Sequence, residues 1–330
     1  MSDQSEPASD GRGSAICFRD VRKVYPNASH PSVDGVTFDV EPGTFIVLLG
    51  PSGCGKTTLL KLVNRLIEPS GGTITIDGVD TRALPAARLR RSIGYVIQQT
   101  GLFPHMRIEA NIAVVPRLLG WDKHRIATRV DALLDLVGLP PDEYRRRYSS
   151  QLSGGEQQRV GLARAMAADP STMLMDEPFG ALDAITRTRL QDELLRIHRQ
   201  IPKTVLFVTH DIEEAVRLAD RIVIMREGQV VQFDTPLRIV MHPADVFVAD
   251  LVGADDVLRR LSLIPIASVL QPAGEPNGAA IARSSDLRAA LGLLMETGLS
   301  TVDVIDDQGS VVGQVGLAEI LKASAGGDSS

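Results

Sequence analysis

The sequence predicts an α/β fold built on a mostly parallel sheet with helices on its faces, followed by a second, smaller unit. Three observations lead there. From Ile16 onward short apolar strands alternate with helical patterns, the layout that joins parallel strands through crossover helices. Three of the strands, FIVLL (residues 45–49), MLM (173–175) and VLFV (205–208), are continuous apolar runs, as burial of both sheet faces requires. Each run passes at once into polar residues, GPSGCGKTT, DEP and THD, and in open α/β sheets ligands sit beyond the carboxyl ends of the strands. Three distant segments therefore aim at one place.

The elements follow in chain order. Residues 1–14, rich in Ser, Asp, Gly and Glu, carry too little apolar content to fold and read as a disordered tail, as do residues 326–330. Between residues 104 and 165 the pattern is helix and loop without a strong strand, which predicts a helical subdomain inserted into the sheet domain, with Trp121 near its tip. A boundary is expected between Pro243 and Asp256, giving a first domain over 15–255 and a second over 256–325. In the second, an amphipathic helix over SDLRAALGLLMETG precedes the strand Thr301–Ile305, the turn Asp306–Gly309 and the strand Val311–Val315. The order is strand, helix, strand, turn, strand, helix.

Bulk properties narrow the function. With 330 residues and 44% hydrophobic content the chain buries a sizeable core and has room for two domains. A net charge of −6 and a pI near 5.6 supply no basic footprint for nucleic acid, so no nucleic-acid partner is expected. Two cysteines, Cys17 and Cys54, the latter inside a glycine-rich loop, argue against a structural disulfide and for a reducing cytosol. No apolar run reaches the ~18 residues that cross a bilayer, and the N-terminal residues lack the layout of a signal peptide. A membrane role is thus expected to come from a partner.

The chemistry concentrates after the first strand. Gly50, Pro51, Ser52, Gly53, Cys54, Gly55, Lys56, Thr57 and Thr58 fit G-x-x-x-x-G-K-[ST] with a strand before and a helical pattern (Thr58, Leu59, Leu62, Val63, Leu66) after. Its glycines let backbone N–H groups point at the β-phosphate of ATP. Lys56 offsets charge on the β- and γ-oxygens, and the Thr57 hydroxyl ligates Mg2+. Asp176, ending the second apolar strand, is expected to hold Mg2+ through water, and Glu177 beside it to polarise the attacking water. His210 closes the third strand, in reach of the γ-phosphate or Glu177. Gln98, after the strand Ile93–Ile97, has an uncharged oxygen that could serve Mg2+ or water, and on this reading Gln99 beside it serves equally.

A second anion site follows at QLSGGEQQRV (residues 151–160). Ser153 with Glu156 three residues on, ahead of Val160, Leu162, Ala163, Ala165 and Met166, forms a capping box that opens a helix. Free N–H groups at a helix start attract anions, and Gly154 and Gly155 leave them uncovered.

Taken together, GPSGCGKTT, IGYVIQQTGLFPHM, LSGGEQQRV, LMDEP, GALD and VTHD, in that order, resemble the ATP-binding cassette (ABC) ATPases over roughly residues 16–255. The resemblance implies a P-loop NTPase cassette in which an antiparallel β region joins the parallel core. It makes Gln98 the Q-loop position, six before Pro104, and matches Tyr25 to the aromatic that stacks on adenine. Asp183, in GALD, matches a residue at the dimer boundary. It further implies that Ser153, Gly154 and Gly155 cap the γ-phosphate held by a second copy, so that a homodimer sandwiches two ATP molecules and hydrolysis lets the halves part.

A complete cassette without a spanning segment resembles the ATPase subunit of bacterial importers, with the segment Thr100–Ile112 contacting an integral-membrane permease at the cytoplasmic face of the inner membrane, and an extracytoplasmic substrate-binding protein or domain delivering cargo. A soluble, non-transport ABC ATPase is the alternative; such relatives carry two cassettes or a long coiled coil. The strings IGYVIQQTGLFPHMRIEANIAVVPRLLGW and VMHPADVFVADLVGADDVLRRLSLIPI resemble the ATPases of osmoprotectant importers for glycine betaine, choline or carnitine, with amino-acid importers second. Residues from about 262 to 321 are similar to a CBS domain, a regulatory module that works in pairs, here expected between two chains. The family's Thr/Ser-x-x-Asp ribose grip is Gly316-x-x-Glu319 in this chain, and residues 251–330 hold ten acidic residues against five basic ones. Both features weigh against adenosine binding and docking on anionic lipid respectively.

Overall fold

The computed structural model describes residues 13–26, 28–98, 101–180, 182–274 and 278–324. Most of the predicted 1–14 tail, the whole 326–330 tail, Gln99, Thr100 and Ala181 of GALD lie outside the described residues. Gly13 and Ser14, assigned to the tail from composition, are packed. Ser14 Oγ lies 2.8 Å from Ser171 Oγ, Thr204 Oγ1 donates to the Ser14 carbonyl at 2.6 Å, and a Cβ on Gly13 would stand 2.2 Å from the Gly43 nitrogen.

The chain divides into two units, residues 1–233 and 234–330. The first contains β1 (Ile16–Lys23), β2 (Val33–Val40), β3 (Phe45–Leu49), β4 (Gly71–Ile76), β5 (Val79–Asp80), β6 (Ile93–Val96), β7 (Thr172–Asp176), β8 (Thr204–Thr209) and β9 (Arg221–Arg226), with β10 (Gln229–Asp234) at its end. One sheet runs β2-β1-β4-β5 with antiparallel pairs, and the other β10-β9-β3-β8-β7-β6, parallel from β9 through β6.

Burial explains the strand sequences. All five residues of β3 and of β7 and all six of β8 are buried, whereas β2 alternates in its second half, with Val36, Phe38 and Val40 inward and Thr37 and Asp39 exposed. The core joins both sheets. Phe18 and Phe38 stack at 4.4 Å between ring centroids, and the same cluster takes in Leu48, Leu174, Leu206 and Val223 of the parallel sheet. The helix after the first phosphate-loop candidate, α1 (Lys56–Val63), buries Leu59, Leu60, Leu62 and Val63 into that cluster. It ends before Leu66, which the periodicity had included and which is half exposed; Arg65 at φ +47° follows the helix.

After α2 (Ala86–Ser92), the inserted region consists of α3 (Ile108–Ile112), α4 (Val114–Leu118), α5 (Lys123–Leu136), α6 (Pro141–Tyr144) and α7 (Gly154–Met166). Two further helices, α8 (Ala184–Gln200) and α9 (Ile212–Leu218), join the remaining strands. Trp121 precedes α5, where Arg125 Cζ lies 3.5 Å from its ring centroid.

The second unit opens with α10 (Pro236–Met241), α11 (Val246–Val252) and α12 (Val257–Leu263). It then runs β11 (Ala280–Ala282), α13 (Leu287–Thr297), β12 (Thr301–Ile305), β13 (Val311–Gly316) and α14 (Leu317–Ser324). Its sheet is ordered β11-β12-β13, parallel in the first pair and antiparallel in the second. Leu261, Leu287, Val302, Val304, Val315 and Ile320 form its own core, against which Leu237 of α10 packs. The division therefore falls at the end of β10 rather than at 255/256, and α10 and α11 belong with the second unit.

Candidate active site

Parallel register brings three strand ends level. Leu49 at the end of β3 pairs with Thr209, the last residue of β8, and Asp176 at the end of β7 pairs with Val208. The residues that follow, Gly50, His210 and Glu177, consequently emerge at one edge of the sheet.

The loop after β3 is shaped by its glycines. Gly55 stands at φ +107° as the N-cap of α1, where a Cβ would lie 2.2 Å from the Ser32 carbonyl oxygen, so only glycine fits. Gly53, at φ +83°, has no neighbouring atom within 4 Å of the Cβ position and keeps its outer face clear. Gly55 has no side chain with which to cap α1, which leaves the first N–H groups of the helix to a ligand. Pro51, Ser52 and Gly53 are exposed and Cys54 is buried. The Lys56 side chain is buried, its Nζ donating to the carbonyls of Gly50 at 2.6 Å and Pro51 at 2.9 Å. An ammonium held by carbonyls of its own loop is poised at the cradle and has its positive charge uncancelled by them.

Thr57 and Asp176 meet directly: Thr57 Oγ1 donates to Asp176 Oδ1 at 2.8 Å. Asp176 is only 3% exposed, and burial raises its pKa above the ordinary carboxylate value, opposed by the Thr57 hydrogen bond and reinforced by the charge of Glu177. A buried carboxylate and a hydroxyl side by side are hard oxygen donors, the set that suits Mg2+ with its retained waters and phosphate oxygens. Thr58, next along α1, is partly buried.

Glu177 collects more partners. Gln98 Nε2 donates to its Oε2 at 3.0 Å, and His210 Nδ1 lies 3.0 Å from its Oε1. Its backbone sits at φ +47°, in the left-handed region that a non-glycine residue adopts at a cost, and its N–H donates to the Val208 carbonyl at 3.0 Å. Gln158 of α7 donates to the Glu177 carbonyl at 3.3 Å. Gln158 is not singled out by the sequence, where it stands in a run of polar residues (Gln157, Gln158, Arg159); in the structure it is buried, 5% exposed, on α7, which also buries Val160, Leu162 and Ala165. The carboxylate of Glu177 thus has both oxygens held, in an arrangement able to take a proton from a water between it and a phosphate.

The structure leaves five predicted residues, Ser153, Gly154, Gly155, Asp183 and Tyr25, apart from these bonds. Ser153 caps α7: its Oγ accepts the Glu156 amide at 3.3 Å, while Glu156 Oε2 accepts the Ser153 amide at 2.7 Å, the reciprocal box expected from sequence. Gly154 is exposed with nothing within 4 Å of its Cβ position, and Gly155 follows it in the first turn. The Tyr144 hydroxyl donates to Glu156 at 2.6 Å, and this bond together with the Ser153 amide holds the Glu156 pKa below its usual value. Asp183 caps α8 by accepting the Thr186 amide at 2.9 Å. Tyr25 stands two residues beyond β1, half-buried, with Lys23 Nζ 5.3 Å from its ring centroid.

In the second unit, the Gly316 amide donates to Glu319 Oε2 at 3.2 Å.

The family described as ABC transporter matches residues 33–180. The osmoprotectant import ATP-binding protein OsmV of Salmonella typhimurium is 47% identical over 293 residues, 89% of this chain and 76% of that protein. The glycine betaine uptake system ATP-binding protein YehX of Escherichia coli is 44% identical, over 93% of this chain and 99% of that protein. The glycine betaine/carnitine/choline transport ATP-binding protein OpuCA of Bacillus subtilis is 45% identical, over 93% and 81%. Among solved structures the chain is similar to a dimeric post-hydrolysis state of the ATP-binding cassette MJ0796 bound to ADP and Pi, with a TM-score of 0.62 and 31% identity, covering 67% of this chain and 98% of that one.

Proposed function

The chain belongs to the ABC transporter ATPases, and on that premise we propose that it hydrolyses ATP to drive uptake of quaternary-amine osmoprotectants such as glycine betaine, carnitine and choline. The observation that carries hydrolysis is Glu177, with its two carboxylate oxygens held by Gln98 and His210 one residue after the Thr57–Asp176 pair. Gly50 to Thr58 receive the triphosphate. Lys56 turns from the carbonyls of its own loop to the phosphate oxygens, an exchange of neutral acceptors for charged ones. Tyr25 stacks on the adenine. Thr57 and Asp176, with Gln98, hold Mg2+, which when bound offsets phosphate charge. Glu177 orients and deprotonates the water, and His210 fixes the carboxylate and meets the γ-phosphate.

Two copies act together in this reading. Gly154, with open space around its Cβ position, leaves the start of α7 uncovered, Ser153 and Asp183 cap the separate helices α7 and α8, and in this reading Ser153, Gly154, Gly155 and Asp183 serve the nucleotide of the partner copy. The MJ0796 cassette is dimeric in its solved structures, which supports the arrangement. The dimer sits peripherally at the cytoplasmic face of the membrane on a separate permease, with a substrate-binding protein or domain outside. No helix among the described residues is long and apolar enough to cross a membrane. Residues 256–325 act as a CBS-like regulatory module paired across the two copies. Removal of residues 256–330 is expected to abolish regulation and spare ATP hydrolysis.

Uptake of labelled glycine betaine, carnitine, choline and amino acids by cells with and without the gene tests the cargo. Loss of quaternary-amine uptake alone is expected, and loss confined to amino acids would reassign the importer.

A further inference from the structure

His210 lies between Thr209 and Asp211, and one buried carboxyl organises both. Glu214 of α9 is 7% exposed; Thr209 Oγ1 donates to its Oε2 at 2.7 Å and Gln191 of α8 to its Oε1 at 3.2 Å. The same Thr209 oxygen accepts the Asp211 amide at 3.0 Å, and Asp211 Oδ1 caps α9 by accepting the amides of Glu213 at 2.8 Å and Glu214 at 3.4 Å. Both residues that bracket the histidine are therefore pinned to Glu214, directly or through the cap. The His210 side chain itself is 66% exposed and meets Glu177 Oε1 through its Nδ1 at 3.0 Å.

Arg187 of α8 reaches the group from another side. Its Nη1 lies 3.8 Å from Asp211 Oδ2, its Nε 3.9 Å from Glu214 Oε1, and its Nη2 donates to the Leu182 carbonyl at 3.3 Å, immediately before Asp183. The Nε is buried and has no hydrogen-bond partner. An unpaired buried donor is unfavourable, so Arg187 is the least settled member of the group, and a small shift of α8 toward α9 would pair it.

Burying a carboxyl is costly, and packing alone would be served better by an apolar side chain. What the carboxyl supplies is two acceptors at fixed positions, one for β8 and one for α8. We propose that Glu214 is a positioning residue for hydrolysis, setting the backbone on both sides of His210 so that its ring meets Glu177, and that Arg187 links this setting to the Leu182–Asp183 segment. The proposal rests on the reading that His210 and Glu177 act in ATP hydrolysis.

The test is steady-state ATPase of the full chain, with thermal unfolding and nucleotide affinity measured alongside. Glu214→Ala is expected to lower kcat by about tenfold or more while KM for ATP stays within about twofold, because the lost alignment matters at the chemical step and not in binding. Glu214→Gln, which keeps an acceptor in place, is expected to recover most of that rate. Should Glu214→Ala fail to fold, Thr209→Val removes one donor at constant shape and is expected to show the same split. Arg187→Ala is expected to lower kcat by about threefold.

A folded Glu214→Ala or Thr209→Val with full kcat overturns the positioning role, as does a rise in KM at unchanged kcat or a Gln variant no faster than the Ala variant. Full kcat in Arg187→Ala overturns the link to the Leu182–Asp183 segment. His210→Ala separates the two levels: a wild-type rate in that variant defeats the reading of the site itself, whereas a slow His210→Ala beside a fast Glu214→Ala defeats only this inference.

Discussion

Thr57 Oγ1 donates to Asp176 Oδ1 at 2.8 Å across 119 positions of sequence, joining the start of α1 to the end of β7. The contact places a buried carboxyl whose pKa is raised by desolvation beside the hydroxyl that follows Lys56 at the start of α1. Two consequences of opposite sign follow for one substitution.

Asp176→Asn is expected to stabilise the nucleotide-free protein at neutral pH and to abolish Mg2+-dependent ATP hydrolysis. A carboxyl with a raised folded-state pKa favours the folded state below its unfolded pKa and loses that contribution as pH rises through the folded value. The asparagine variant should therefore melt higher at pH 7, by about 2–4 °C for each kcal/mol relieved. Its advantage should shrink as the pH falls toward the ordinary carboxylate range. Melting curves at several pH values check the sign, and an Asn variant that melts lower at pH 7 than at acid pH, relative to wild type, would contradict it.

Glu177→Gln is expected to bind ATP and hydrolyse it at least about 100-fold more slowly, since an amide cannot take the proton from water. Gln98 and His210 still have an oxygen and a nitrogen to meet, so the fold is expected to hold. Uncleaved ATP should collect the variant into a two-copy form in size-exclusion chromatography; an ATP-bound monomer would count heavily against the two-copy site.

Gly154→Ala separates a role in the fold from a role at the interface. Nothing stands within 4 Å of the added Cβ, and alanine at a helix start is favoured over glycine, so the melting temperature should stay level or rise slightly. ATPase activity should nonetheless fall by about tenfold or more if a partner's phosphate comes against that backbone. Ser153→Arg is expected to lower activity more severely; it also removes the hydroxyl cap of α7, so about 1 kcal/mol of stability should go with it while the chain still folds. Unchanged activity in both would remove the second anion site.

Gly55→Ala provides the opposite pattern. Its Cβ would meet the Ser32 carbonyl at 2.2 Å with the backbone at φ +107°, so a loss of stability of about 1–3 kcal/mol is expected together with loss of nucleotide binding. Lys56→Ala, by contrast, should fold and fail to hydrolyse, because its bonds to Gly50 and Pro51 serve the loop and not the core. Calorimetry and nucleotide titration on the two variants distinguish them.

Much of the fold was legible in the residues because the signals are local. Apolar runs at 45–49, 173–175 and 205–208 lie within strands, the glycine loop precedes α1, and Ser153 with Glu156 forms the expected cap, since each depends on neighbours within a few positions. The order of strand ends also pointed to one edge, and Asp176, Glu177, Thr57, Gln98 and His210 gather there.

Tertiary structure decided what depends on partners far away in the chain. The Gln98 amide settles on Glu177, Gln158 holds the Glu177 carbonyl, and Lys56 folds onto its own loop, none of which periodicity can express. The unit boundary moved to 233/234 because Leu237 finds its apolar neighbours in the later core, a choice made by shape across the chain. The residues by themselves determined which elements form and which end of the sheet bears chemistry, since both follow from short-range pattern. Which polar atoms meet there was determined only when parallel register set Leu49 opposite Thr209 and Asp176 opposite Val208, because a hydrogen bond is decided within an ångström and sequence spacing is not.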